Sequence, residues 1–171
     1  AFSKSIPAGE PSVQVIEKLG KQFGSSFPAT ASRYASLAPF PCAYIIMEGG
    51  IVRYAAVNTA LRRKGIRVPW KCPIPVGSIA HQLRAAGNHA TETGQVPQDV
   101  WMENCDRGYD LMELSRHYAD YDERFSVLWC SEDDLPQGEV DRFNRRIDDD
   151  EGGLEELTGE LSWEKHGRRR R

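Results

Sequence analysis

A short hairpin signature constrains this chain more than any other feature. Cys42-Ala-Tyr-Ile-Ile-Met47 is a run of strand formers, Glu48-Gly49-Gly50 is a hairpin turn, and Ile51-Val-Arg-Tyr-Ala-Ala-Val57 returns as the partner strand. Further strands are expected over Val96 to Met102, over Tyr109 to Tyr118 and over Phe125-Ser-Val-Leu-Trp-Cys130, the last following an acidic turn, Asp120-Tyr-Asp-Glu123. In the second of these, Leu111, Glu113, Ser115 and His117 fall on one side and Asp110, Met112, Leu114 and Arg116 on the other. At least five strands in two hairpins, with one intervening helix capped by Ser78 and running through Ala86, predict an α+β fold built on an antiparallel sheet. A chain of 171 residues is long enough for one domain with a sizeable core, burying about 70% of its unfolded surface, or for a small helical element leaning on a larger domain.

Ahead of the hairpin lies a helix-turn-helix pattern. Ser12 caps a helix after Pro11 that carries Val15 or Ile16, Leu19 and Phe23 on one face, and Gly24-Ser25-Ser26 breaks it. Ser26 is the second N-cap, Pro28 fits the first turn, Phe27, Ala31, Tyr34 and Ala35 or Ala38 make an apolar stripe, and Pro39 and Pro41 stop the helix. If this pair touched duplex DNA, its second helix would offer Thr30, Ser32 and Arg33 to base edges while Lys18 and Lys21 met phosphates. The alternative is a helix pair that packs on the sheet or bridges two domains.

Charge is segregated more than the net value of -3 suggests. No acid occurs from Ile51 to Ala90, a segment holding Arg53, Arg62, Arg63, Lys64, Arg67, Lys71 and Arg84, whereas acids dominate from Asp120 to Glu160. Such blocks meet each other or an oppositely charged partner. Asn58 to Pro75 reads as a long basic loop interrupted by Gly65, Pro69, Pro73 and Pro75, and therefore as a functional loop. With Arg62, Arg63, Arg67 and Trp70 it could bind nucleic acid, close over an anionic ligand, or dock the acidic surface of a protein substrate. From Ser131 the composition turns polar, and the tail over 136–171 is expected to be disordered apart from a loosely docked helix around Leu154 to Leu157.

Catalytic signatures are missing from the sequence. The cysteines Cys42, Cys72, Cys105 and Cys130 are scattered without a C-x-x-C pair, and reduced thiols are expected, with Cys42 and Cys130 buried in apolar runs. His81 and His89 are eight residues apart and do not share a tight helical face at about 100° per residue; His117 falls on a strand and His166 in the tail, so no metal site is expected. There is no Ser-His-Asp or Cys-His arrangement, no phosphate loop and no dinucleotide fingerprint. No apolar run is long enough to span a bilayer and the N-terminus has no signal-peptide pattern, which makes a cytoplasmic location the expectation.

Phe2, Ile6-Pro7, Glu10-Pro-Ser12, Ile16-Glu17, Ala29-Thr30-Ala31, Arg33-Tyr34, Pro41-Cys42-Ala43, Arg53, Leu61-Arg62-Arg63, Gly77-Ser78, Trp101, Glu113-Leu114-Ser115 and Leu128-Trp129 together resemble the middle and C-terminal regions of ImmA/IrrE-family proteins. The resemblance runs from about Phe2 to Asp134. It implies a helix-turn-helix-like linker over 1–40, a GAF-like sensory domain over 41–135, and a zinc peptidase with a His-Glu-x-x-His helix upstream, which this chain lacks. Family members cut repressors that carry their own helix-turn-helix and so release stress-response or mobile-element genes. The resemblance therefore implies a regulatory portion of a longer enzyme, with zinc confined to the missing peptidase domain, no cofactor in this chain, a repressor as protein partner, and a small-molecule ligand at the GAF-like sheet. DNA, from the helix-turn-helix pattern and the acid-free segment, or a second copy of the chain are the further partners the residues themselves leave open. In a GAF-like sheet the side chains best placed to line a ligand pocket are Tyr44, Arg53, Tyr54, Trp70, Trp101 and Glu113.

Overall fold

The computed structural model describes residues 2–7, 9–105 and 108–135. Strands β1 (Cys42–Glu48) and β2 (Ile51–Val57) form the expected hairpin, closed by Gly49 and Gly50 at φ of 56° and 78°. Both central residues at positive φ give the turn the twist that antiparallel strands need. A side chain at Gly50 would also strike the guanidinium of Arg84. Pairing runs from Ala43 opposite Val57 to Ile46 opposite Tyr54 and then slips, with Met47 opposite Val52. Arg53 is the extra residue of this bulge, and the slip reverses the facing of the strand: Val52 joins the core on one side of the sheet, Ala56 the core on the other.

Three further strands complete the sheet: β3 (Ala90–Pro97), β4 (Asp110–Tyr118) and β5 (Glu123–Trp129). The order is β2-β1-β5-β4-β3, every neighbour antiparallel. Helices cover both faces. On one lie α1 (Phe2–Ser5), α2 (Val13–Phe23) and α3 (Phe27–Leu37), sharing a core with Cys42, Tyr44, Leu114, Phe125 and Val127. On the other lie α4 (Thr59–Arg63), α5 (Ile79–Ala86) and α6 (Gln98–Trp101), which supply Leu61, Ile79, Leu83 and Trp101 to a second core with Ile45, Met47 and Leu128. Coverage on two sides explains why β1 reads as an unbroken apolar run with no in-out alternation. No helix among the described residues is long and apolar enough to cross a membrane.

Local signals set most helix ends. Ser12 Oγ accepts from Val15 N at 3.2 Å, Gly24 closes α2 in the left-handed region at φ 62°, and Ser78 Oγ accepts from His81 N at 3.1 Å. Ser26 occupies the N-cap of α3 without a side-chain bond; its carbonyl instead accepts the Thr30 hydroxyl at 2.8 Å. The α2–α3 pair lies on the sheet, with Ile16, Leu19, Ala31, Tyr34 and Ala35 buried, so of the alternatives open for it the packed arrangement is observed. Cys42 and Cys130 are buried as expected; burial pushes the Cys130 thiol up to about 12 and that of Cys42 higher.

Two expectations fail. The strand expected over Val96 to Met102 lies earlier, because Thr91, Thr93 and Val96 pair along β4, while the chain from Gln98 turns into α6. Gly94, which suggests a turn, instead brings β3 under α5, since a Cβ there would come 3.1 Å from Ile79 Cδ1. Asn58 to Pro75 is not loop throughout: Asn58 Oδ1 accepts from Leu61 N at 3.2 Å and starts α4. The tail over 136–171, with His166 and the helix expected near Leu154, falls outside the described residues.

Ile45 has no exposed surface and sits in the central core with partners from both hairpins. Replacing it by alanine should cost about 2–5 kcal/mol of stability, read from the midpoint of urea unfolding at unchanged slope.

Candidate functional site

The part of the acid-free segment that follows α4 leaves that helix after Arg63 and rejoins β2 at Lys71, arching beside this edge strand. At its near end the arch rejoins β2 through Val52 N to Cys72 O at 2.9 Å and Lys71 N to Val52 O at 2.8 Å. Its middle is pinned to the far side of the sheet: Arg67 and Glu103 exchange backbone bonds of 3.3 and 2.8 Å, and Asn104 Nδ2 donates to Gly65 O at 3.1 Å. Between arch and strand lies a groove of about 470 Å³. Ala55, Val57, Ile66 and Val68 form its apolar lining, and Arg53, Arg62, Arg67, Tyr54 and Trp70 supply charge and aromatic surface.

Electrostatics in the groove are one-sided. Arg53 has only an exposed contact with Glu48 at 3.7 Å, and among the described residues Arg62 and Arg67 have no ion-pair partner. Trp70 is 60% exposed, and Lys71 Nζ lies 4.3 Å from its ring centroid. Backbone groups add a second element of recognition. Asn58 N donates to Cys42 O, so the pairs Tyr44/Ala56 and Ile46/Tyr54 carry the ladder bonds by alternation. Ala55 and Val57 consequently turn their N–H and C=O groups outward, into the groove.

Arg53 and Tyr54 from the expected pocket set and Arg62, Arg67 and Trp70 from the expected basic loop come together in this groove, whereas the apolar lining of Ala55, Val57, Ile66 and Val68 is not anticipated from the sequence. Four other residues go elsewhere. Tyr44 lies in the core on the opposite face, 6.0 Å from the Phe125 ring centroid. Trp101 and Glu113 are buried partners of each other: Trp101 Nε1 donates to Glu113 Oε2 at 2.7 Å. The same carboxylate accepts Ile79 N at 3.0 Å, Ala80 N at 2.9 Å, Ser115 Oγ at 2.6 Å and Ser126 Oγ at 3.3 Å. With its oxygens occupied, Glu113 anchors the first turn of α5 and has nothing left to offer a ligand. Arg63 turns to the other flank of α4, where with Lys64 it shares a cleft with Glu132 and Asp133.

The DNA-reading set is dispersed. Thr30 is 1% exposed with its hydroxyl bound at Ser26 O, which removes it from any base edge. Arg33 is exposed but its guanidinium sits 5.1 Å above the Phe2 ring, while Ser32 Oγ pairs with Tyr54 Oη at 2.8 Å and ties α3 to β2. Lys18 and Lys21 are exposed on α2. Among the described residues no three His, Cys, Asp or Glu side chains converge as a metal site requires. Comparison with protein-family models and with curated proteins finds no match for the chain.

A second polar cleft opens beside the end of α5, lined by His81, Arg84, His117 and Asp122. Asp122 accepts from Arg84 Nε and Nη2 at 3.3 and 3.1 Å and from Arg124 Nη2, and His117 Nδ1 lies 3.1 Å from Asn88 O. The hydrogen bonds from Arg84 hold the Asp122 carboxyl below its ordinary value; burial opposes them and the charges of Arg124 and Arg84 reinforce them.

Glu113→Gln keeps the volume but turns an amide donor toward donors already in place, and should lower stability by roughly 1–3 kcal/mol in urea unfolding. At Asp122 folding favours the ionised form, so its stabilisation is full above the ordinary value of about 3.8 and is lost as pH falls through the depressed folded value. The fall in melting temperature on acidification below that value should therefore be shallower in Asp122→Asn than in the parent, which calorimetry across that range would read.

Proposed function

We propose that this chain is a non-catalytic regulatory region, sensory and partner-binding, of an ImmA/IrrE-type zinc metallopeptidase that acts on helix-turn-helix repressors. The observation that carries this reading is the groove in which Arg62 and Arg67, without an ion-pair partner among the described residues, stand with the exposed Trp70 beside the outward backbone of β2. Support for the GAF-like assignment comes from the five-stranded antiparallel sheet with helices on both faces. The resemblance set out above supplies the family, and a cytoplasmic setting is part of the same proposal. In this role the acidic surface of a repressor docks in the groove, with Arg62 and Arg67 giving charge and Trp70 a stacking face.

The groove is coupled to the helix pair. Tyr54 lines it and is hydrogen-bonded to Ser32 on α3, and α3 rests on β1 and β2. An occupant that binds one arrangement of Tyr54 better than another shifts the population of both, and with it the way α2 and α3 present a repressor to the peptidase. The expected outcome with a family repressor is binding that weakens tenfold or more in Arg62→Glu/Arg67→Glu, measured by calorimetry, together with no chelator-sensitive cleavage by the chain alone. Reproducible cleavage abolished by a chelator would sink this reading.

A DNA-binding regulator is the second reading, favoured by the exposed Lys18, Lys21 and Arg33 on the helix pair. It requires a salt-dependent shift of duplex DNA that weakens in Arg33→Ala and in Arg62→Ala/Arg63→Ala. An unshifted duplex at low salt excludes it.

A further inference from the structure

We infer that the groove beside β2 takes an extended acidic segment of a partner protein as an added β-strand. This rests on the partner-binding reading above and specifies the recognition: main-chain pairing to Ala55 and Val57, with acidic side chains reaching the arginines.

Three features of the edge converge on an extended peptide. The first is backbone supply. β2 is an edge strand, yet its outer side is closed at both ends, at Val52 by the returning arch and after Val57 by the turn into α4, where Asn58 O accepts from Arg62 N at 3.1 Å, so that only the stretch between them is open. Ala55 and Val57 offer two N–H donors and two C=O acceptors there at strand spacing, which a peptide satisfies and a compact anion does not. The second is the shape of the opening. The arch stands away from β2 between Arg63 and Trp70 and is held there by the Arg67–Glu103 exchange, leaving a slot of about 470 Å³ with an apolar floor. Such a volume admits a few residues in extended form, with alternate side chains pointing to the floor and to the rim. The third is charge. Arg62 and Arg67 have no ion-pair partner among the described residues, and no acid lies in the sequence from Ile51 to Ala90, so the rim selects carboxylates.

The bulge at Arg53 is what makes this arrangement available. Val52 turns its backbone outward to the arch, and without the extra residue the outward set would continue through Tyr54 and Ala56. With it, Ala55 and Val57 face out while Tyr54 and Ala56 remain bonded to β1.

The test uses the full chain and a fluorescein-labelled peptide, Glu-Val-Glu-Val-Glu, with fluorescence anisotropy as readout. Two further peptides carry backbone N-methyl groups, one on both valines and one on the three glutamates. Strand addition predicts that one methylated peptide loses binding tenfold or more while the other binds like the parent, since only alternate N–H groups face β2. It also predicts a tenfold loss in Arg62→Ala/Arg67→Ala, with the fold verified by circular dichroism. Equal binding of all three peptides, lost only in the arginine variant, overturns strand addition and leaves the regulatory reading standing. A folded chain that binds no acidic probe but shifts duplex DNA overturns both. Occupation by the chain's own acidic run would show as a chain that binds the probe only once Asp148, Asp149, Asp150 and Glu151 are replaced by serine, and that result overturns the assignment to a partner.

Discussion

The buried carboxylate of Glu113 is the interaction on which the rest of the structure depends. It has no solvent exposure, and an isolated charge in such a place would be prohibitive. Five donors surround it: two backbone N–H groups of α5, the Trp101 indole on α6, and the hydroxyls of Ser115 on β4 and Ser126 on β5. One side chain therefore fixes two helices against two strands, and the arrangement is directional in a way that hydrophobic contact is not. Its reach extends to the groove. Trp101 ends α6, Glu103 follows two residues later, and Glu103 is the backbone partner of Arg67 in the arch.

Around that centre the sheet serves two cores at once. Side chains alternate between them along β1, and the bulge at Arg53 lets β2 contribute to both without breaking the hairpin. The N-terminal helix pair is thereby a wall of the same core as Tyr44 and Phe125, so a disturbance at β2 has a packed route to α3. Rigidity at the centre and an open margin at β2 are consistent with a molecule whose interior holds shape and whose edge does the recognising.

What was legible in the sequence was local. The Glu48-Gly49-Gly50 turn, the caps at Ser12 and Ser78, the glycine after α2 and the one-sided set Leu111, Glu113, Ser115 and His117 all rest on neighbours within a few residues, and these elements lie where the pattern puts them. Long-range dependence was not legible. Gly94 looks like turn chemistry until Ile79 is found above it, and Glu113 looks like a pocket residue until α5 and α6 are seen to supply its donors. Thr30 has the chemistry of a base reader but lies against Gly20, where α2 and α3 cross. Asn58 carried a readable cap signal that the prolines downstream obscured. Arg67 was legible as part of a basic loop, but the pairing with Glu103 that fixes the loop beside β2 is a contact between segments 36 residues apart that no local rule anticipates.

The unpaired margin of β2 has a cost for a protein at cellular concentration, since an open strand edge is a template for its own copies. Here the same guanidiniums that draw carboxylates also guard against self-pairing. Two molecules meeting edge to edge would bring Arg53, Arg62 and Arg67 of each into one narrow seam, and their mutual repulsion keeps the seam from closing. That protection is only as strong as the field that provides it, so dissolved salt or a polyvalent anion weakens the guard and the attraction together.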